Sequence, residues 1–318
     1  MINPRPTITE IQAAAERIRP YIHHTPVLTC ASVDQQAGAK VFLKCENFQR
    51  VGAFKFRGAC NAVFSLTDEQ ALRGVATHSS GNHAQALALA ARLRGIEAYL
   101  VMPDNAPQVK KSAVIGYGGK ITFCEATLQA REMTLAQIVQ ETGSIVIHPY
   151  NDARVIAGQG TAALELIAEI PNLDVVMAPV GGGGLLSGTA LAVSALSPAT
   201  RVIGVEPEGA DDAYRSFHSG RIIPSIRPNT IADGLLTSLG DITFPIIQAH
   251  VAEIVTVSEK AIIAALRLVW ERAKIVIEPS AAVPIAALLE KKIDLNGLCI
   301  GVILSGGNVD IGQLSQLF

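Results

Sequence analysis

The sequence predicts an α/β fold with two doubly wound domains, in which helices cover both faces of mainly parallel sheets. Short apolar runs alternate with amphipathic helical stretches, and neither an internal repeat nor a long polar linker interrupts them. Because parallel strands need crossover connections, this order indicates right-handed strand–helix–strand units with ligands at the carboxyl ends of the strands. The 318 residues, 49% of them hydrophobic, are enough for about two domains.

Nine apolar runs have the length and composition of strands. They are residues 41–45, 75–78, 98–102, 121–124, 145–148, 175–180, 202–205, 254–257 and 298–304. Thr7 and Glu10 form the pattern of a capping box, which predicts a first helix to about Arg19, ended by Pro20. The amphipathic pattern predicts further helices over residues 84–94, 128–141, 160–170 and 259–273.

The composition favours a small molecule as the partner. The net charge is −2 and no run of like charge occurs, so the charge pattern does not indicate binding to nucleic acid or to an anionic membrane. The five cysteines include no Cys-x-x-Cys pair, as is typical of buried thiols in a reducing compartment. The N-terminus lacks an apolar signal core, and no apolar stretch is long enough to span a bilayer. We therefore expect a cytoplasmic enzyme that is not membrane-bound.

The segment Gly-Ala-Phe-Lys-Phe-Arg-Gly at residues 52–58 places Lys55 between two aromatic residues. A lysine amine held beside apolar rings loses its charge readily and becomes a nucleophile toward a carbonyl carbon. We therefore predict that the chemistry takes place at Lys55. A solvated lysine at the start of a helix would give the same short pattern.

The segment Ser79-Ser80-Gly81-Asn82-His83 follows a predicted strand and opens an alanine-rich helix. Free N–H groups at a helix start, with hydroxyl groups beside them, suit a carboxylate. An ordinary serine N-cap is the alternative, and His83 taken alone is typical of a hydrogen-bonding residue at a helix start.

Four consecutive glycines, residues 181–184, lie between a predicted strand and a predicted helix. Glycines let the backbone approach an anion closely and the helix start adds its dipole, which favours a phosphate site. One alternative is a dinucleotide site, because Glu206 ends the next strand where an acid would hold a ribose. A glycine turn with no ligand is the other.

Ser305-Gly306-Gly307-Asn308 follows the last apolar run. A serine hydroxyl at a strand end can hydrogen-bond a pyridine nitrogen but, unlike a carboxylate, cannot keep it protonated. An ordinary turn is the alternative.

In order and spacing, these segments resemble the fold type II pyridoxal-phosphate enzymes (tryptophan synthase β-like), specifically the serine and threonine dehydratases, serine racemases and hydroxyaspartate ammonia-lyases. The resemblance covers nearly the whole chain and extends to residues 25–28, 44–49, 157–161, 230–234 and 305–310. It implies pyridoxal 5'-phosphate as cofactor. It also implies a large cofactor-binding domain, residues 1–73 plus 150–318, and a small, mobile substrate-side domain, residues 74–149.

The resemblance implies a role for each site residue. Lys55 would carry the cofactor as an imine, and Ser80 would be a second acid or base on the opposite ring face. The other implied cofactor contacts are Phe54, Asn82, Tyr150, Gly181, Gly182, Gly183, Gly184, Leu185 and Ser305. For the substrate, we take Arg131 as a candidate for binding a second carboxylate, with Ser79, Ser80 and His83 around the first carboxylate and Ser238 nearby; a solvated arginine is the alternative for Arg131. Glu206, Ala210 and Asp212 would bind Mg²⁺, Ca²⁺ or Mn²⁺, with an acidic surface loop as the alternative.

Ala53 decides the substrate expectation, since many threonine dehydratases have serine at this position. With alanine the segment looks more like fungal-type serine racemases and hydroxyaspartate ammonia-lyases. We therefore expect a homodimeric ammonia-lyase that converts threo-3-hydroxyaspartate to oxaloacetate and ammonia. The alternative in the same family is a serine racemase with serine or threonine dehydratase side activity. Two alternatives lie outside this family: a nicotinamide-dependent oxidoreductase and a non-catalytic amino-acid-binding protein.

Overall fold

The computed structural model describes residues 5–79, 81–106, 108–310 and 312, which form two sheets. The strands are β1 (Val27–Thr29), β2 (Lys40–Cys45), β3 (Val75–His78), β4 (Ala98–Pro103), β5 (Lys120–Cys124), β6 (Ile145–Val146), β7 (Val175–Pro179), β8 (Arg201–Pro207), β9 (Glu253–Val257) and β10 (Cys299–Leu304). All nine predicted strands are confirmed, and β1 was missed. It has three residues, none of them fully buried, so it carries no clear hydrophobic pattern.

The two sheets occupy different parts of the chain. The six-stranded sheet has the order β1-β2-β10-β7-β8-β9, and only its edge strand β1 is antiparallel to its neighbour. The four-stranded sheet has the order β5-β4-β3-β6 and is parallel throughout. The prediction of mainly parallel sheets is thus confirmed.

The helices lie mostly between consecutive strands. They are α1 (Ile8–Ile18), α2 (Ala31–Ala37), α3 (Lys55–Phe64), α4 (Asp68–Leu72), α5 (Asn82–Arg94), α6 (Gln108–Gly116), α7 (Leu128–Thr142), α8 (Ala153–Glu169), α9 (Gly184–Leu196), α10 (Asp212–Ser219), α11 (Thr243–His250), α12 (Glu259–Leu268) and α13 (Pro279–Leu289). The capping box at Thr7 and Glu10 is present. No helix among the described residues combines the length and apolar character needed to cross a bilayer.

Two predicted helix bounds were wrong. Helix α8 begins at Ala153 rather than residue 160, because its glycines serve close packing instead of breaking the helix. A Cβ at Gly158 would stand 2.6 Å from the carbonyl oxygen of Arg57. The predicted helix 259–273 is α only to Leu268 and continues as a π-helical turn to Ala273.

Both sheets are covered on both faces, as a doubly wound architecture requires. In β7, Val175 and Met177 pack in a cluster with α12 and α13, whereas Val176 and Ala178 pack in a cluster with α9. In the smaller sheet, Leu100 of β4 packs with α3 and α5, and its neighbour Val101 packs with α7. The period of two in each strand therefore separates two apolar layers.

A buried network of charges fixes the first turn of α3. The Arg57 guanidinium, fully buried, contacts both carboxylate oxygens of Glu46 and both of Glu165 at 2.7–2.8 Å. The Lys44 ammonium, also buried, lies 2.7 Å from Glu165. Two cations thus meet two carboxylates, so the charges compensate one another and tie α3 to β2 and α8.

Candidate active site

Two segments distant in sequence pair at the carboxyl end of β10. The N–H of Phe54 donates to the carbonyl of Ser305 at 3.0 Å, and the N–H of Gly307 donates to the carbonyl of Gly52 at 2.9 Å. Between them, Ala53 forms an antiparallel bridge with Gly306. This pairing sets the start of α3 beside the end of the strand that precedes Ser305.

The Lys55 amine is partly buried at the first position of α3. Its Nζ donates to the carbonyl of Pro149 at 2.9 Å and lies 5.1 Å from the centroid of the Phe54 ring. Burial lowers the pKa of Lys55 to about 8, and the nearby Glu278 carboxyl opposes this shift. A substantial fraction of this amine is neutral near pH 8, as a nucleophile or base requires.

The glycine loop lies between β7 and α9. Gly183 has a φ of +87°, which favours glycine. A Cβ at Gly182 would come within 2.3 Å of the Tyr150 ring, and one at Gly181 would stand 3.0 Å from the Cα of Leu235. Side chains are therefore excluded here, and the first N–H groups of the 13-residue helix α9 are able to donate to an anion.

The hydroxyl of Ser305 is buried and has no hydrogen-bond partner among the described residues. An unpaired buried hydroxyl costs free energy, so its presence indicates a partner that is not part of the chain. It lies at the end of β10, within the backbone pairing that holds Phe54.

Asn82 belongs to a hydrogen-bonded network that includes Glu278. The Asn82 amide donates to the two Glu278 oxygens at 3.0 and 3.1 Å, and its carbonyl accepts from the Asn308 side chain at 2.9 Å. Glu278 is 4% exposed, and burial raises its pKa to about 7. Sequence reasoning missed Glu278, because a glutamate before Pro279 at a helix start is typical of an ordinary N-terminal residue.

The segment before α5 contributes Ser79 and His83. The Ser79 hydroxyl accepts from the N–H of Gly81 at 3.3 Å, and Ser80 lies outside the described residues. The His83 ring is 2% exposed, and its Nε2 donates to the carbonyl of Ile147 at 3.1 Å. Burial, together with the charge of Lys55, lowers the pKa of His83 to about 3, so the imidazole is neutral.

Arg131 and Ser238 make their described contacts elsewhere. The Arg131 guanidinium donates to the carbonyl of Thr127 at 3.3 Å on its own helix, α7. The Ser238 hydroxyl accepts from the N–H of Ser225 at 2.8 Å. Among the described residues, no hydrogen bond joins either side chain to Lys55.

Glu206 and Asp212 form a buried acidic pair. The Glu206 oxygens accept from the N–H groups of Ala213 and Tyr214 at 3.0 and 2.9 Å. Neither Asp212 oxygen has a hydrogen bond of ordinary geometry among the described residues, although the Ser225 hydroxyl lies close enough to oppose the rise in the pKa of Asp212. Burial raises the pKa of Glu206 to about 9 and that of Asp212 to about 6. Ala210 is buried in a 3₁₀ turn that lies between Glu206 and Asp212 in the chain. The Glu206 and Asp212 side chains are fully buried, so they do not belong to an acidic surface loop.

Comparison with known proteins decides the family. The family model described as "Pyridoxal-phosphate dependent enzyme" matches residues 18–306. The chain belongs to this family. A beta-hydroxyaspartate dehydratase of Paracoccus denitrificans is 54% identical over 97% of this chain and 98% of its own. A serine racemase of Arabidopsis thaliana is 52% identical over 98% and 96%. The crystal structure of the Dictyostelium discoideum serine racemase has a TM-score of 0.93 at 50% identity, covering 96% of this chain and 99% of that one.

The family resolves the alternatives left by the glycine loop. A nicotinamide enzyme is excluded by the family, and Glu206 is engaged by two backbone N–H groups rather than open to a ribose. A non-catalytic binding protein is excluded likewise. The fold class, two parallel sheets with helices on both faces, is confirmed by the structural relatives.

The residues present fit pyridoxal phosphate. The unpaired Ser305 hydroxyl suits a ring nitrogen, and the glycine loop with the start of α9 suits a phosphate. The Lys55 amine, with its lowered pKa, suits an aldehyde.

We expect neutralising Glu278 to lower the pKa of Lys55 further. The Glu278 carboxylate favours the protonated form of the Lys55 amine. In Glu278→Gln, the pKa of Lys55 should therefore fall below its native value of about 8. Competitive acetylation of the cofactor-free chain across pH, followed by peptide mapping, gives the acetylation rates of Lys55 and of the exposed Lys260 in one sample. The pH dependence of each rate gives the pKa of that amine. Lys260 is the internal control. An unchanged or raised pKa at Lys55 would show that Glu278 does not act on it.

Proposed function

We propose that this chain is an ammonia-lyase that removes the β-hydroxyl and then ammonia from threo-3-hydroxyaspartate. The observation that carries the proposal is the backbone pairing that brings the start of α3, which carries Lys55, next to the segment that carries the unpaired Ser305 hydroxyl. The dehydratase of Paracoccus denitrificans, similar over almost the whole chain, supports the substrate. The products are oxaloacetate and ammonia.

When bound, pyridoxal phosphate supplies an electrophilic carbon for the amino group and withdraws electrons from the α-carbon. Lys55, once free, takes the α-proton as the neutral amine that its lowered pKa provides. Lys55 would return the proton it has taken to the β-hydroxyl, which leaves as water. The released enamine tautomerises to an imine, and a second water adds to this imine to give oxaloacetate and ammonia. Ser305, a hydroxyl, would not keep the ring nitrogen protonated, so the bound cofactor would withdraw electrons less strongly, which favours loss of the β-group.

The other residues orient the reacting groups. We assign the phosphate to residues Gly181–Gly184 and Leu185, which form the loop before α9 and the first residues of that helix. We assign Asn82 to the phenolic oxygen of the cofactor, since its side chain is held by Glu278 and Asn308. Phe54 and Tyr150 line the ring, and the Tyr150 side chain already lies against Gly182.

For the substrate, we assign Ser79, Ser80, His83 and Ser238 to the α-carboxylate and Arg131 to the β-carboxylate. A planar guanidinium binds a carboxylate through two hydrogen bonds, which would favour hydroxyaspartate over serine. Arg131 and Ser238 must each exchange a present contact, with Thr127 and Ser225, for the substrate. Arg131 lies on α7, which packs on the four-stranded sheet.

We propose that residues 74–149 form a small domain that moves to bring Arg131 to the substrate. This segment contains all four strands of the smaller sheet. Its described polar links to the rest of the chain include the ion pair of Lys110 with Asp233 at 2.5 Å and the hydrogen bonds of Asn82 to Glu278. These polar contacts can break and re-form, as a movement of one domain against the other requires.

Serine racemisation is the second candidate, supported by the similarity to the Arabidopsis serine racemase. It needs a proton donor on the ring face opposite Lys55, and we assign this role to Ser80. A lone serine is a weak acid and base, so its neighbours must assist it.

For the assembly and location of the chain, only the resemblance to the family supports the proposal of a cytoplasmic homodimer.

We also propose that Glu206, Asp212 and the carbonyl of Ala210 bind a divalent cation. The burial of both carboxylates is the supporting observation, because the Asp212 oxygens lack hydrogen bonds of ordinary geometry and buried carboxylate oxygens need donors or a cation. Within the described ranges no three His, Cys, Asp or Glu side chains are grouped to hold a metal, so a backbone carbonyl and water would complete the ligands.

We expect the keto-acid release assay to rank threo-3-hydroxyaspartate above serine and threonine. In Arg131→Gln, kcat/KM for hydroxyaspartate should fall by roughly 10- to 100-fold, while that for serine changes little. Arg92→Gln is the control, because Arg92 is an exposed arginine that, like Arg131, donates to a backbone carbonyl. A native preference for threonine would refute the substrate, and an equal loss for both substrates in Arg131→Gln would refute the assigned role.

We expect Mg²⁺, Ca²⁺ or Mn²⁺ to raise the melting temperature of the enzyme after treatment with a chelator. Asp212→Asn should abolish this increase, because it removes the charge of the unpaired carboxylate. Asp211→Asn should retain it, since Asp211 is half-exposed and paired with Arg215. The site is refuted if no cation stabilises the native enzyme, or if both variants respond alike.

A further inference from the structure

A short turn between β6 and α8 is held by the ring of His148. Its Nδ1 accepts from the N–H of Asn151 at 2.9 Å and, more weakly, from the N–H of Tyr150 at 3.4 Å. Both donors are backbone amides, so Nδ1 carries no proton. The imidazole is therefore neutral, with its proton on Nε2.

The same turn is fixed from its other side by Asn151. Its side-chain carbonyl accepts from the N–H of Ile242 at 2.9 Å, and its amide donates to Asp241 at 2.5 Å. A Cβ at Gly240 would lie 2.3 Å from the Asn151 side chain, so the Asn151 side chain is closely packed against the backbone here. The rings of His148 and Tyr150 meet edge to face, with centroids 4.6 Å apart.

Held in this way, the turn directs the Pro149 carbonyl to the Lys55 amine at 2.9 Å. We propose that this carbonyl holds the Lys55 amine whenever it is not bonded to the cofactor, and that His148 is the positioning residue that sets it. The proposal rests on the proposed function, in which Lys55 is the base. The Pro149 carbonyl touches the base directly, whereas His148 acts through the backbone.

His148 provides a constant acceptor because it stays neutral. Burial, helped by His78 and Lys55, lowers the pKa of His148 to about 4, although Asp152 and Asp241 oppose the shift. Above that pH the two backbone N–H groups keep their acceptor. The Glu278 carboxyl raises the pKa of Lys55, and the charge of Lys55 in turn lowers the pKa of His83, so Glu278 and His83 are kept unchanged in the test.

The test compares His148→Leu, which removes the acceptor, with His148→Asn, whose amide oxygen can replace Nδ1. In the holoenzyme, the leucine variant should lower kcat by roughly 10- to 100-fold with little change in KM. The isotope effect measured with α-deuterated substrate should rise, because proton removal becomes slower than the other steps. The asparagine variant should stay close to wild type in both quantities.

A second readout does not need turnover. A carbonyl acceptor favours the protonated amine, so its displacement should lower the pKa of Lys55. Competitive acetylation of the full chain, freed of cofactor and shown to melt cooperatively, should record this decrease in His148→Leu and not in His148→Asn.

The outcomes separate the possibilities. If both variants lower the melting temperature alike and leave the pKa of Lys55 and the isotope effect unchanged, His148 is only structural and the proposal is overturned. An equal change of these quantities in both variants overturns it too. Failure of the proposed function is seen separately, as hydride labelling of a residue other than Lys55 in the wild-type holoenzyme, whereas the acetylation result reports the Lys55–Pro149 contact alone.

Discussion

The whole site depends on the antiparallel pairing of residues 52–54 with residues 305–307. It joins the segment that leads into α3 to the segment that leaves β10, although some 250 residues separate them in the chain. Gly52 has a φ of +69° there, and a Cβ would stand 2.6 Å from the Asn308 side chain. Because the pairing is made by backbone atoms, the fold itself sets the relative positions of the backbone segments that carry Lys55 and Ser305.

The candidate active site carries little charge at moderate pH, whereas the buried network that holds α3 is fully charged. Burial lowers the pKa values of Lys55, His83 and His148, and raises that of Glu278 to about 7, so that neutral forms are accessible at moderate pH. Two residues beyond Lys55, full charges are present but paired: Arg57 contacts Glu46 and Glu165. The charged network fixes α3 without requiring a charged group to face the reactive amine.

Much of the fold could be predicted from the sequence, because its strands are continuous apolar runs and its motifs stand at their carboxyl ends. The glycine loop, Ser305 and the Lys55 segment each showed their chemistry in a few adjacent residues. Glu278 and His148 did not, since each acts through partners far away in sequence: Asn82 for Glu278, and for His148 a backbone turn facing Lys55. The start of α8 was missed because glycines that allow close helix packing have the same local pattern as glycines that end helices.

The imine at Lys55 is the claim on which the chemical account rests, and hydride trapping tests it most directly. The active enzyme, as purified, is reduced with borohydride, digested and mapped by mass spectrometry. The account predicts loss of activity together with a pyridoxyl-phosphate label on the peptide that contains Lys55. Unmodified Lys55 in fully active enzyme, or a label on another lysine, would contradict it.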